Sequence, residues 1–284
     1  MSAFKLEYET CSHSVESGMR ALALESEHLA NVIDTFRGVI PALSGKLKET
    51  LAQFSQPEDL SKEIKRSKVV YQETKEKLKY ARFIDLGKTL VSVPEGFKGN
   101  FIEYATVLLK LSEPLFRNGT ATMSEYNAIL ASFVTNKEDK VSLRDHTNFY
   151  KAIKIQREEI NSSMAQFFPE RGQLSKNYLS DVIRRFEDTE ELLNTMEKLD
   201  RERKKHSLKD IMESVRKSVD MLDMVIKSVE SKGITNVSGA AAMNISQGAY
   251  ELGKYVELIS IYAFRVEQMV KSTESLMETV KRIV

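Results

Sequence analysis

Residues 249–270 read AYELGKYVELISIYAFRVEQMV. The stretch is about as long as the roughly 20 residues of a transmembrane helix, and most of its positions are apolar. It nevertheless contains five charged side chains, Glu251, Lys254, Glu257, Arg265 and Glu267. A bilayer span does not need such a polar side, whereas a helix packed on other helices does. The stretch therefore predicts a two-faced helix that buries its apolar side against neighbouring helices.

Apolar positions continue beyond both ends of this stretch, alternately four and three residues apart. An average spacing of 3.5 residues keeps one side of a helix against its neighbour, so the pattern predicts a coiled-coil-like seam. We interpret the members of this seam as the candidate residues for helix–helix interaction. They are Ile245, Leu252, Val256, Ile259, Val266, Val270, Met277 and Val280.

Charged residues fall off the seam at spacings typical of ion pairs on a helix surface. Glu251 precedes Lys254 by three positions, and Glu267 precedes Lys271 by four, so both pairs are expected to form. A helix continuous from residue 240 would be about 65 Å long, at roughly 1.5 Å per residue, against about 30 Å for a small domain. We therefore expect an elongated protein, or a helix that projects into a neighbouring molecule.

The composition favours long helices. The chain has 284 residues, of which 42% are hydrophobic and 29% charged, and only five are proline. So few helix breakers fit an all-α fold, an elongated bundle of long amphipathic helices, better than a sheet sandwich. We predict an N-terminal helical region over 1–170, with shorter helices near 100–112 and 122–135, and a long-helix bundle over 171–284. A single continuous domain is the alternative.

Net charge and cysteine content restrict the partners and the compartment. A net charge of +1 creates no global field that would attract nucleic acid or an acidic membrane. The single cysteine, Cys11, allows no disulfide within the chain. The N-terminus lacks the apolar core of a secretory signal, so we expect assembly in the cytoplasm rather than secretion.

No stretch carries a recognisable catalytic or cofactor-binding motif. LGKTL at 86–90 ends like a phosphate-binding loop, but Arg82 occupies the position where the motif needs its first glycine. The nucleophile elbow of hydrolases and the paired-histidine zinc motif do not occur. We predict no catalytic residue, cofactor, metal or small-molecule substrate, and hence no enzyme. The four histidines are far apart in sequence: His13, His28, His146 and His206.

The most basic run is RERKKH, at 201–206. Clustered arginine and lysine can grip phosphate groups, so the run is a candidate contact for an anionic partner. A polar connector between two helices is the alternative interpretation. The residues concerned are Arg201, Arg203, Lys204 and Lys205.

The C-terminal stretch GAYELGKYVELISIYAFRVEQMVKSTESLMETV resembles the C-terminal helices of virion structural proteins of large tailed bacteriophages. In those chains a patch of small residues leads into a Tyr-x-Leu-(Gly/Ala)-x-(Tyr/Glu)-Val-Glu stretch and then a long amphipathic helix. The resemblance implies a multi-copy, non-enzymatic structural protein of the virion. Its partners would be copies of itself or other virion proteins, held by helix–helix packing.

Two other functions are compatible with the sequence. A cytosolic helical adaptor, or a protein that binds membrane surfaces, would use the basic faces at 62–68 and 201–206 on anionic lipid. An α-helical pore-forming toxin would need a concealed apolar hairpin. The best candidate for that hairpin, 249–270, carries five charged residues, which ranks the toxin last.

Replacing both Val256 and Ile259 with Asp should abolish folding or assembly. An unpaired charge within a packed seam costs several kcal/mol. Circular dichroism and light scattering on the double variant measure the two properties. A variant that remains folded and assembled like the wild type would refute the seam assignment.

Overall fold

The protein is all-α, as predicted, apart from one pair of short strands. The computed structural model describes the greater part of the chain, with single positions between 17 and 28 and between 154 and 167. The continuous described ranges are 30–53, 60–81, 89–94, 97–135, 176–178, 186–205, 208–232 and 239–283.

Within these ranges the helices are long, and two of them continue from π-helical turns. One such turn, Thr35–Val39, leads into the first helix, and the other, Pro114–Asn118, joins the third to the fourth. The helices are α1 (Ile40–Gln53), α2 (Ser61–Ala81), α3 (Phe101–Glu113), α4 (Gly119–Val134), α5 (Phe186–Lys205), α6 (Leu208–Lys232) and α7 (Gly239–Ile283). The strands are β1 (Leu90–Ser92) and β2 (Lys176–Tyr178), which pair antiparallel.

The expected break between the two middle helices is absent. The chain is helical throughout 101–134, because the segment EPLFRNGT is taken up by the π-helical turn. Pro114 begins this turn, where its missing N–H and its ring disturb the regular hydrogen-bond ladder. A helix can absorb such a disturbance by a local π-turn without ending.

Helix α7 packs against four of the other described helices. Its 45 residues span about 67 Å, at roughly 1.5 Å per residue. It contacts α1, α2, α3, α4 and β1. The eight predicted seam residues of α7 are all buried: Ile245, Leu252, Val256, Ile259, Val266, Val270, Met277 and Val280. The chain therefore covers the apolar side of its own longest helix.

The helices of the two predicted regions share one hydrophobic core. Buried side chains of α1 to α4 and of α5 to α7 belong to a single cluster. This arrangement favours the single continuous domain over a boundary near residue 170. The division of the chain into two regions itself stays a prediction.

Three buried tyrosines join α7 to the continuous helical stretch 101–134, which we call the α3–α4 run. This run lies antiparallel to α7. Tyr126 on α4 donates its hydroxyl to the carbonyl of Ile245, at 2.9 Å. In the opposite direction, Tyr255 donates to Leu115, at 2.7 Å, and Tyr262 donates to the carbonyl of Leu108, at 2.9 Å. We call these three side chains the tyrosine ladder. Burial raises the pKa of Tyr255 and of Tyr262, so both hydroxyls remain protonated donors at neutral pH.

Two glycines provide the space for this ladder. A Cβ atom on Gly119 would overlap the phenol of Tyr255, and one on Gly248 would overlap the ring of Tyr126. The amide of Gly119 bonds to the carbonyl of Phe116 instead of that of Leu115. Tyr255 thus donates its hydroxyl to a carbonyl at the point where the π-helical turn changes the backbone hydrogen-bond pattern.

Replacing Gly119 with Ala should destabilise the protein by several kcal/mol, since the new methyl group would displace the buried ring of Tyr255. Gly45→Ala on α1 is the matched control, because a Cβ there would meet nothing within 4 Å. The control should be neutral or gain up to about 1 kcal/mol from helix propensity. Chemical denaturation measures both free energies of unfolding. Equal effects would show that Tyr255 does not need the space at Gly119.

Candidate interaction surface

Two cations of the basic face of α2 pair with acidic residues of its neighbours. Lys68 lies 2.6 Å from Glu197 on α5, and Arg66 lies 3.0 Å from Glu274 on α7. These pairs cross between helices, so the face at 62–68 holds α2 between α5 and α7. Charges that are already paired attract anionic lipid less strongly, which weakens the membrane-surface hypothesis.

The structure divides the basic run at 201–206 by burial. Arg203 is buried, whereas Arg201 is exposed. Lys204 lies 3.1 Å from Asp200 and hydrogen-bonds to a serine of α2, and Lys205 lies within 4.0 Å of a glutamate one turn away. The helix continues through this run to Lys205, so the predicted polar connector is largely the last turn of α5. Of the four candidate residues, Arg203 is buried, whereas Arg201, Lys204 and Lys205 are exposed and lie on the same side of the last turns of α5.

Acidic partners in these contacts hold their charge firmly. The hydrogen bond from Lys75 lowers the pKa of Glu190, and that from Lys68 lowers the pKa of Glu197. Burial alone would raise the pKa of Asp223 on α6. Hydrogen bonds from Lys48 and Ser44 on α1, at 2.6 and 2.9 Å, outweigh that effect and lower it.

The outward side of α7 carries a second line of residues, which we call the outer stripe. It repeats the spacing of the buried seam two positions earlier in sequence. Its apolar members are exposed: Met243 by 70%, Tyr250 by 46%, Ile261 by 44% and Phe264 by 54%. The complete outer stripe is Met243, Gln247, Tyr250, Lys254, Glu257, Ile261 and Phe264.

Two opposite charges lie at the centre of the outer stripe. Lys254 is 3.0 Å from Glu257, and its ammonium group is 5.9 Å from the centroid of the Tyr250 ring. The expected pair of Glu251 with Lys254 is wrong. Glu251 is buried, accepts a hydrogen bond from Gln247 and lies 3.9 Å from Arg157. The expected pair of Glu267 with Lys271 is confirmed, at 2.6 Å.

A cleft between α1 and α7 adjoins the outer stripe. Its volume is about 240 Å³, and Tyr250, Lys254 and Glu257 line both the cleft and the stripe. The floor includes Leu47 and Gly253, where a Cβ on the glycine would be 3.8 Å from the leucine side chain. The cleft thus extends the exposed surface sideways and gives it an apolar recess.

The sequence analysis missed the outer stripe because it followed the stronger of two overlapping patterns. Both patterns alternate spacings of four and three. The buried seam of α7, which we call the inner seam, has an apolar residue at nearly every position. The outer stripe mixes four apolar residues with Gln247, Lys254 and Glu257. Testing the pattern in all seven phases would have found it.

In the part of the chain that the structure describes, no three His, Cys, Asp or Glu side chains gather where they could hold a metal ion. None of the helices in that part combines the length and apolar character needed to cross a bilayer. Cys11, His13, His146 and His206 lie outside the described residues. No protein-family model, curated protein or solved structure matches this chain.

Removing the carboxylate of Asp223 should make stability less sensitive to acid. Because the pKa of Asp223 is lowered in the fold, its contribution is present above its ordinary value of about 4 and is lost as the pH falls through the folded value. Asp223→Asn should therefore lower the melting temperature at pH 7 by roughly 1–2 °C, and the difference from wild type should shrink as the pH falls through the lowered pKa of Asp223.

Thermal unfolding at several pH values measures this difference. Glu230→Gln changes an exposed carboxylate on the same helix and serves as the control. A difference for Asp223→Asn that does not shrink as the pH is lowered would show that its ion pair does not contribute.

Proposed function

We propose that this protein is a non-enzymatic structural component of a bacteriophage particle that binds its neighbours through the outer stripe of α7. The exposed apolar side chains at helical spacing carry the proposal, since the described helices leave them uncovered. The resemblance of the C-terminal stretch to virion structural proteins is the reason for proposing a bacteriophage particle.

The energetics of burial support the choice of surface. The inner seam already packs against the chain's own helices, so using it for assembly would require opening the core. The outer stripe can be covered without any such cost. Burying a fully exposed aliphatic or aromatic side chain contributes about 1.5–3 kcal/mol, so each of these partly exposed side chains contributes a fraction of that value. Exposed apolar patches are common markers of protein–protein contact.

The rigidity of α7 also supports a structural role. The tyrosine ladder fixes α7 along the α3–α4 run, while ion pairs from α2 hold its C-terminal part. A surface presented on a fixed helix loses little conformational freedom when it binds. Rigid presentation of this kind suits a protein that repeats in many copies.

The test is whether the protein is incorporated into particles at structural copy number. Phage particles grown from a genome that encodes this chain would be purified on a density gradient and their proteins quantified by mass spectrometry. We expect this chain in tens of copies per particle or more. Its absence from purified particles, with abundant free protein in the lysate, would overturn the virion role.

Variants of the outer stripe identify the surface. Ile261→Asp should reduce incorporation at least about tenfold, because a contact residue becomes a charge that must be desolvated. Met224→Asp on α6 is the matched control, since Met224 is a similarly exposed apolar residue away from the outer stripe. Both variants should melt within a few degrees of wild type. Equal incorporation of the two would exclude the outer stripe as the contact.

A further inference from the structure

We propose that the outer stripe binds the same stripe of a second copy, with the two α7 helices antiparallel and related by a two-fold axis between residues 255 and 256. This inference deepens the proposed function by naming the partner of that surface. The occupant follows from the arrangement of charge along the outer stripe.

Charge complementarity decides the direction of the two helices. In a parallel pair, residues of the same number face each other, so Lys254 would meet Lys254 and Glu257 would meet Glu257. Facing like charges oppose association. In an antiparallel pair, Lys254 of each copy can face Glu257 of the other, which produces two attractive contacts. The lysine and the glutamate already lie 3.0 Å apart within one copy. Association would join the two pairs into one network of four charged side chains.

The same residues select the register. Antiparallel helices that pack on 3.5-residue stripes can shift relative to each other in steps of seven residues. With the axis between 255 and 256, Lys254 faces Glu257, Tyr250 faces Ile261, and Gln247 faces Phe264. The two neighbouring registers place Lys254 against Tyr250 or Phe264 and leave Glu257 against Gln247 or Ile261. Only the central register matches each charge with its opposite and covers the exposed ring of Tyr250 with an apolar side chain.

The size of the contact sets its strength. From 243 to 264 the outer stripe is about 32 Å long, and a helix presents a face about 10 Å wide. The buried surface is then roughly 300 Å² per copy, less than half of what a stable complex commonly buries. The geometry therefore points to a reversible dimer in the micromolar range, strengthened when many copies are held together in one assembly.

Charge reversal tests the proposed pairing. Lys254→Glu and Glu257→Lys should each weaken self-association at least about tenfold, because each places like charges opposite one another across the axis. An equimolar mixture of the two variants should recover dimers, since the lysine of one copy again meets a glutamate of the other. Sedimentation velocity over a range of concentrations measures all three samples, and thermal unfolding verifies that each variant is folded.

The matched control reverses an ion pair elsewhere. Glu213 and Lys217 form an exposed pair on α6, 3.9 Å apart, so Glu213→Lys and Lys217→Glu make the same charge changes away from the outer stripe. These variants should associate like the wild type. A wild type that stays monomeric at several hundred micromolar, or a mixture of the stripe variants that fails to recover dimers, would overturn the antiparallel pairing.

The outcomes for the dimer and for the virion role are separable. A monomeric chain that is incorporated into particles would mean that another virion protein covers the outer stripe. A dimer that is absent from particles would keep the pairing and refute the virion role.

Discussion

The structure depends on the contact between α7 and the α3–α4 run. Along this contact the tyrosine ladder fills the core with rings and satisfies backbone carbonyls with hydroxyl groups. A buried hydroxyl without a partner would cost between about 1 and 3 kcal/mol, so the hydrogen bonds are as necessary as the rings. The ladder also fixes the register, because each phenol fits only beside its own carbonyl. Gly119 and Gly248 are the spaces that make this approach possible.

The remaining helices are arranged around this contact by charge as well as by apolar packing. Ion pairs place α2 between α5 and α7, and Asp223 connects α6 to α1. Each pair is partly exposed and is worth little alone in water. Their main effect is to specify which helices pack together. The hydrophobic effect does not distinguish one amphipathic helix from another, whereas opposite charges that lie at the same level along two neighbouring helices do.

This division of roles leaves α7 with two different faces. The inner seam is buried in the core, so its residues cannot contact a partner unless the core opens. The outer stripe retains the same periodicity, but its apolar side chains remain exposed beside the cleft that separates α7 from α1. A protein that builds larger structures benefits from such a separation, because a change in the outer stripe can alter association without weakening the core.

The sequence by itself determined the all-α class, the length of α7 and the burial of its apolar seam. Those features follow from local periodicity, which a single helix carries wherever it packs. It could not show that the π-helical turn would keep 101–134 helical, nor that the partner of Glu251 is Arg157, about ninety positions earlier in the chain. The role of Gly119 was equally hidden, because it depends on a tyrosine from another helix. The outer stripe could be read as a pattern, but its exposure was decided only when the other helices took their places. The periodicity of the sequence predicts that one face of a helix will be buried. Which neighbour buries that face depends on contacts between residues far apart in sequence, and only the tertiary structure brings these residues together.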